Sequence, residues 1–411
     1  MKALLLLMSI LFLLSATSCG ADSSASADIS NIVFDDESIT PALVPGGYAR
    51  FEVLGDGTLM FFNDDILYKS CNHGESWNKK RISENAATVV TSATGKAHTL
   101  SLENWQGFVM DDGTVLVSYR ARTKNYKSGE FYTSIRVMTS YDNAETFANE
   151  VIIAEATTDG FHGYWEPFMI QPDANTVLLF YSDDLNVNNI GPQQNIVYHE
   201  YDISAKTWSN AVVAVDGVKR NSRDGMPVIT KLKDGGYAMV IETQDYHHRF
   251  RGLTFGKSVF VISISLSADG KTWSNPVPVV APADITGGDR CAAPYITTLP
   301  DGRVIISYMT EDGFKGIRVN DEVLNCVYGA VISNDVITVD TRLSATTGGP
   351  AKGFTTLPDI FEDPINGYMV WNSVFCDGEY VYFSGGAGIN DGSVTPTLRI
   401  RRADVRTLSD K

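Results

Sequence analysis

Short apolar runs along this chain come in pairs, each pair joined by a turn-forming dipeptide. Three such units read Tyr48–Phe62 around Asp56-Gly57, Trp105–Tyr119 around Asp112-Gly113 and Trp165–Tyr181 around Asp173-Ala174-Asn175. Three more read Met226–Ile241 around Asp234-Gly235, Ala293–Tyr308 around Asp301-Gly302 and Met369–Ser384 around Asp377-Gly378. Runs rich in Val, Ile, Tyr and Phe on both sides of a turn that tolerates positive φ predict β-hairpins. The turn aspartates are separated by 56, 61, 61, 67 and 76 residues. An interval of about 60 residues holds four short strands and their loops, the content of one propeller blade. No helical periodicity competes, and a two-sheet sandwich would not repeat at this interval. The expectation is an all-β fold: a six-bladed β-propeller of four-stranded antiparallel blades, occupying residues 38–411 as one domain.

A second pattern follows late in four of the units. It reads Ser70-Cys71-Asn72-His73-Gly74-Glu75-Ser76-Trp77, Ser140-Tyr141-Asp142-Asn143-Ala144-Glu145-Thr146-Phe147, Asp202-Ile203-Ser204-Ala205-Lys206-Thr207-Trp208 and Ser267-Ala268-Asp269-Gly270-Lys271-Thr272-Trp273. These segments resemble the Asp box, S-x-D-x-G-x-T-W, of sialidases and their relatives. The Asp/Asn-to-aromatic distance varies as 5, 5, 6 and 4 residues, and units five and six lack a full copy. Physically, the Asp accepts backbone N–H bonds within its turn while the aromatic fills the space between sheets. The role is structural; the pattern points to the sialidase superfamily and not to a reaction.

Composition changes the picture in three respects. At 411 residues, 44% hydrophobic and 20% charged, the chain is globular in kind. With 33 basic and 49 acidic side chains its net charge is −16, a surface that repels phosphate backbones and argues against nucleic acid as a partner. The amino terminus carries Lys2, the apolar run Ala3–Leu14 and then Ser15-Ala16-Thr17-Ser18-Cys19-Gly20. That run is too short to span a bilayer and suits a secretory leader. Small residues before Cys19 resemble a bacterial lipobox, although Ala16 stands where Leu is usual; cleavage near Ala25-Ser26-Ala27 is the alternative. The expected organisation is a signal peptide over 1–18, then lipidated Cys19 and a flexible tether over 19–37. The product would be an exported lipoprotein, at the periplasm or the cell surface, touching a membrane through its lipid alone and otherwise monomeric. Four cysteines remain, Cys71, Cys291, Cys326 and Cys376; buried free thiols are favoured over disulfides.

In a propeller, equivalent positions of successive blades converge on the channel mouth. Eight residues beyond each turn aspartate stand Asp64, Arg120, Tyr181, Glu242, Met309 and Gly385, four of them polar at the ends of apolar strands. Just beyond lie Asp65, Arg122, Asp183, Asp184, Gln244, Asp245, Glu311 and Asp312. Two glutamates differ from the rest of this rim. Glu166 stands among aromatics in His162-Gly163-Tyr164-Trp165-Glu166-Pro167-Phe168, and Glu242 ends the apolar run Met239-Val240-Ile241. A carboxylate among apolar residues costs free energy unless it is partnered or has a task. Two of them in adjacent blades match what glycoside hydrolysis needs: an acid for the leaving oxygen and a carboxylate for the anomeric carbon.

The stretches Trp165-Glu166-Pro167-Phe168, Tyr181-Ser182-Asp183, Arg223-Asp224-Gly225-Met226-Pro227-Val228, Ile241-Glu242 and Ala293-Pro294-Tyr295 resemble glycoside hydrolase family 93. Its members are six-bladed propellers of the sialidase superfamily acting as retaining exo-α-1,5-L-arabinanases. The resemblance covers roughly residues 46–400 and is sharpest in the third to fifth units. It implies that the catalytic glutamates are Glu166 and Glu242. Aromatic surroundings suit Glu166 as acid/base, and the cations Arg223, His247, His248, Arg249 and Arg251 suit Glu242 as nucleophile; the reverse assignment stays open.

Candidate substrate-binding residues are Arg50, Asp65, Arg120, Trp165, Tyr181, Arg223 and Arg290. Trp165 and Tyr181 could stack on a furanose or simply pack in the core. Arg50 occupies the position where sialidases place their first arginine, and could equally pair with Glu52. His98 and His162 have no second ligand at metal spacing, so neither metal nor cofactor is expected. The partner is an oligo- or polysaccharide. Two other functions fit less well: an exo-α-sialidase, whose further arginines and nucleophilic Tyr are not identifiable, and a non-catalytic glycan-binding lipoprotein.

Overall fold

The computed structural model describes residues 33–35, 39–41, 44–185, 193–245, 249–250, 253–254, 260–282, 290–312, 326–339, 349–350, 353–361, 367–389 and 396–408. The leader, Cys19 and nearly all of the tether lie outside these residues, as do His247, His248 and Arg251.

Every one of the six aspartate turns closes a hairpin, and the aspartate itself explains why. Its Oδ1 accepts the backbone N–H two residues on: from Thr58 at 2.9 Å, Thr114 at 2.8 Å, Asn175 at 2.8 Å, Gly236 at 3.1 Å, Arg303 at 2.9 Å and Glu379 at 2.8 Å. In four turns the glycine N–H also donates to the carbonyl three residues back, as Gly57 does to Leu54, Gly113 to Met110, Gly235 to Leu232 and Gly302 to Leu299. Those glycines sit at φ between +85° and +97°. This is a type I turn followed by a left-handed residue, for which glycine has no steric penalty. The third unit has no glycine and uses a tighter loop, Asp173 pairing directly with Thr176.

Among the described residues the hairpins grow into six antiparallel sheets, with one small separate hairpin, Arg249–Phe250 with Leu253–Thr254. The innermost strands are Arg50–Val53, Ala97–Val109, Tyr164–Asp173, Ser222–Lys231, Cys291–Thr298 and Gly367–Cys376. Each packs against the next, and the last returns to the first, so the sheets close a ring. The expectation of four strands per sheet needs correction. Among the described residues, sheets one and five have four; sheets two, three and four have five, through short added edge segments such as Val89–Thr91; sheet six has three. The missing outer partner of sheet six comes from the other end of the chain. Phe34 bridges Ala403, Pro45 bridges Thr397, and the Asp35 N–H donates to the Arg402 carbonyl at 2.9 Å.

Turns late in the first four sheets behave as the repeated Ser/Asp pattern requires. Asn72 Oδ1 accepts from the Ser76 N–H at 3.0 Å, Asp142 from Thr146 at 2.8 Å, Asp202 from Ala205 at 2.8 Å and Asp269 from Thr272 at 2.7 Å. The aromatic that ends the first of them, Trp77, meets Phe61 edge-on at 4.8 Å and donates to the Ile39 carbonyl. None of Cys71, Cys291, Cys326 and Cys376 is in a disulfide; Cys291 and Cys326 are buried, whereas Cys71 is exposed.

One feature of the innermost strands positions the site. In five of them the register breaks near the ring axis, between Glu103 and Gln106, Trp165 and Phe168, Gly225 and Val228, Ala292 and Tyr295, and Val370 and Ser373. Inside each break stands one residue at positive φ: Asn104 (56°), Glu166 (38°), Met226 (51°), Ala293 (50°) and Trp371 (56°). These are β-bulges, which bend the strand and re-aim a side chain. In three the next residue is proline, Pro167, Pro227 or Pro294, which has no N–H to lose from the ladder.

Candidate active site

The bulges face a cavity of about 560 Å³ at the centre of the ring. Its wall includes Tyr48 and Asp64 from sheet one, Glu103, Asn104, Arg120 and Arg122 from sheet two, and Trp165 and Glu166 from sheet three. Arg223, Met226, Glu242 and Phe260 from sheet four, Arg290, Ala292 and Met309 from sheet five, and Trp371 from sheet six complete most of it. The two glutamates singled out from the sequence therefore line one cavity.

Glu242 is fixed at both oxygens. Arg223 Nη1 donates to Oε1 at 2.8 Å, and the Ala293 N–H, freed from the ladder by its bulge, donates to Oε2 at 3.1 Å. Glu242 as a whole is only 8% exposed, so these charge-assisted bonds offset its lost hydration. Gly225 lies opposite; a Cβ there would stand 3.1 Å from Glu242 Oε1. That close approach explains the glycine in Asp224-Gly225-Met226-Pro227.

Glu166 is placed differently: it makes no side-chain hydrogen bond to the described residues. Burial pushes its carboxyl above the ordinary range and the negative charge of Glu242 adds to this, while Arg120, Arg223 and Arg50 oppose. The two chemically identical groups thus stand in different surroundings, Glu242 hydrogen-bonded at both oxygens and Glu166 without a side-chain hydrogen bond among the described residues.

The cations that surround them are mostly engaged. Arg120, 6% exposed, bonds to Glu103 and lies over the Trp165 ring at 4.4 Å from its centroid. Arg122 reaches the same carboxylate through Nε at 2.9 Å and Nη2 at 2.7 Å. Burial works against ionisation of Glu103, yet the two arginines hold its carboxyl down at about 2. Arg290 donates to Glu311 Oε1 through Nε at 2.9 Å and Nη2 at 2.7 Å. Arg50 is buried, bonded to the Tyr48 hydroxyl and to Gln106 Oε1.

Two expected binding residues lie elsewhere. Asp65 turns away from the cavity to bond with Arg81 and Ser83, and its neighbour Asp64, at φ 51°, takes the wall position. Tyr181 is 2% exposed within the core between sheets two and three, its hydroxyl 3.0 Å from His199 Nε2 and its ring edge-on to Tyr164. The strand alternation that points Arg120 and Glu242 inward is the same, but Tyr181 is covered by its neighbours. Conversely, Tyr48, Glu103, Asn104, Met226, Phe260 and Trp371 belong to the wall without having been expected there. For Glu103, Asn104, Met226 and Trp371 the one sequence signal is the break in alternation that accompanies each bulge; Tyr48 and Phe260 carry none. His98 bonds to Glu130 at 2.8 Å, and among the described residues no group of three or more His, Cys, Asp or Glu is arranged to hold a metal ion.

No protein-family model matches the sequence, and no curated protein matches it either. Solved structures do. The GH93 α-L-arabinofuranosidase of Fusarium graminearum, solved with arabinobiose, is 18% identical with a TM-score of 0.59, over 92% of this chain and 97% of that one. The α-L-arabinanase of Penicillium chrysogenum, also with arabinobiose, is 18% identical with a TM-score of 0.59, over 91% and 97%. The intramolecular trans-sialidase of Ruminococcus gnavus is 11% identical with a TM-score of 0.50, over 94% and 100%. The fold is a sialidase-like β-propeller. Within that class it is of the kind seen in glycoside hydrolase family 93.

Proposed function

We propose that the protein is a glycoside hydrolase on a six-bladed propeller, retaining and exo-acting, with Glu166 as acid/base and Glu242 as nucleophile. The observation that carries this reading is the pairing within one cavity of a Glu242 carboxylate fixed by Arg223 and the Ala293 N–H with a Glu166 carboxyl kept toward its protonated form. Glu166 gives its proton to the glycosidic oxygen as that C–O bond breaks, and Glu242 attacks the anomeric carbon to form a glycosyl ester. The Glu166 carboxylate then takes a proton from water, whose oxygen attacks the same carbon and releases Glu242. A separation of about 5–5.5 Å between the carboxyl groups is expected of this chemistry.

The proposed substrate is α-1,5-L-arabinan or its oligosaccharides, with arabinose units released. Similarity to arabinobiose-binding enzymes supports a neutral furanose, and so does the charge of the wall. A sialic acid brings a carboxylate that needs arginines to receive it. Here Arg223 is held by Glu242, Arg290 by Glu311, Arg120 and Arg122 by Glu103, and the buried Arg50 by Tyr48 and Gln106. The leader and Cys19 support export with a lipid anchor as part of the same reading. A product screen on arabinan, arabino-oligosaccharides and sialyl-lactose tests it. Arabinose release is expected, lost in Glu166→Gln and Glu242→Gln. Release of sialic acid alone would reverse the substrate, and binding without turnover by the parent would leave a lectin.

A further inference from the structure

Trp371 is 38% exposed and sits at φ 56°, a conformation that a bulky side chain adopts only at a cost of about 1–3 kcal/mol. It occupies the same place in sheet six that Glu166 occupies in sheet three: the positive-φ residue of the innermost bulge, on the cavity wall. The device that aims a carboxylate into the cavity on one side of the ring aims an indole into it on the other. Its setting is firm. The Tyr48 ring meets it edge-on at 5.7 Å, Tyr48 is held in turn by Arg50 at 4.2 Å from its centroid, and the backbone N–H of Trp371 donates to Met309 Sδ at 3.1 Å. Nothing in the core requires an indole here, because its exposed face meets no described ring besides Tyr48.

We propose that Trp371, backed by Tyr48, is the platform of a second sugar subsite, stacking on the C–H face of the ring that leaves. This rests on the glycosidase reading and extends it to chain recognition. Arg50, Gln106 and Tyr295, linked through Gln106 Oε1, are buried, whereas Trp371 stands 38% exposed on the cavity wall. The exposed indole therefore marks the open end, and in an exo-acting cavity the open end holds the remainder of the saccharide. Carbohydrate rings present apolar C–H faces that an aromatic covers without demanding a charge, which agrees with the engaged arginines.

The test is calorimetric binding of arabinotriose and of free arabinose to the Glu242→Gln protein, with and without Trp371→Ala or Trp371→Phe. Arabinotriose binding should weaken about tenfold in Trp371→Ala and by threefold or less in Trp371→Phe, the weight of one aromatic contact. Arabinose, which fills the inner site alone, should be unaffected. Equal loss for both sugars would reduce the indole to a structural role, and no loss for either would overturn the platform while leaving the hydrolase reading intact. Should arabinotriose not bind, the same series with sialyl-lactose decides: dependence on Trp371 keeps the platform and overturns only the arabinan assignment, and independence overturns the platform. Failure of both saccharides to bind overturns the platform.

Discussion

Two glutamates of one cavity differ because their partners differ, and this has consequences for pH. In the proposed mechanism Glu166 acts in its protonated form, so kcat/KM should fall as pH rises through its folded pKa. Arg120 is among the charges that lower that pKa. Arg120→Gln should therefore move the alkaline limb of the kcat/KM profile upward, with Arg122 still pairing Glu103; an unmoved limb would mean that Arg120 does not act through Glu166. Single changes of either glutamate to Gln should reduce kcat by a factor on the order of a thousand or more. A third acid behaves differently. Burial pushes the Glu52 carboxyl from 4.5 up to about 7, against the N–H groups of Val53 and Val109. Between those values the unfolded chain releases the proton that the folded one keeps, so stability is lost as pH rises through this window. Glu52→Gln should be neutral near pH 4 and stabilising at pH 8. Allowing for solvent screening at this half-buried position, the gain is about 1–2 kcal/mol. A Tm difference from the parent that did not grow between these pH values would contradict it. Glu166 and Glu242 were legible as residues of the cavity wall because a carboxylate in an apolar run is conspicuous. Asp65 and Tyr181 were misplaced because counting positions cannot tell a side chain that reaches the axis from one its neighbours cover.

At the scale of the hairpin, the Asp-Gly turns were readable because local chemistry decides them: an aspartate accepting the i+2 N–H and a glycine at positive φ need no tertiary help. Alanine at these glycines should cost different amounts at equivalent places. At Gly57, φ +85° with no atom within 4 Å of a Cβ, the cost is the backbone strain, about 1–2 kcal/mol. At Gly302, φ +97°, a Cβ would also meet Lys233 Cδ at 2.6 Å and Val336 Cγ1 at 2.9 Å, so Gly302→Ala should be the more damaging in denaturant unfolding. Equal losses would show that the loops relax freely. The bulges were not readable as such. Their left-handed positions hold Asn, Glu, Met, Ala and Trp, residues with no shared preference for that conformation, and only the surrounding sheet makes them adopt it. That is why the resemblance caught Trp165-Glu166-Pro167-Phe168 and Ala293-Pro294-Tyr295, where proline marks the bulge, and missed Asn104 and Trp371, where it does not.

Over the whole molecule, the repeat interval was enough to suggest a ring, and the strand count was not. The edge segment Gly349–Pro350, which pairs with Val280 and Ala281, depends on long-range pairing, as do the bridges that Phe34 and Pro45 make to the last strand, Thr397–Asp404. This closure joins chain ends more than 350 residues apart, Thr40 and Ile400 exchanging side-chain and backbone bonds at 3.0 and 2.8 Å. Phe34 packs edge-on to Phe383 at 5.7 Å, and Arg402 pairs with Asp35. Removing residues up to 41 should lower Tm by several degrees and raise hydrogen exchange first in Thr397–Asp404. Uniform loss of protection across all sheets would instead mean that the ring unfolds as one unit.

The claim on which the account turns is that Glu242 attacks the anomeric carbon while Glu166 supplies the proton. Peptide mass mapping after reaction with an activated 2-fluoro-arabinofuranosyl substrate tests it most directly, since the fluorine slows hydrolysis of the glycosyl ester. The account predicts an adduct on Glu242, absent in Glu242→Gln. An adduct on Glu166 or on any other residue would contradict it.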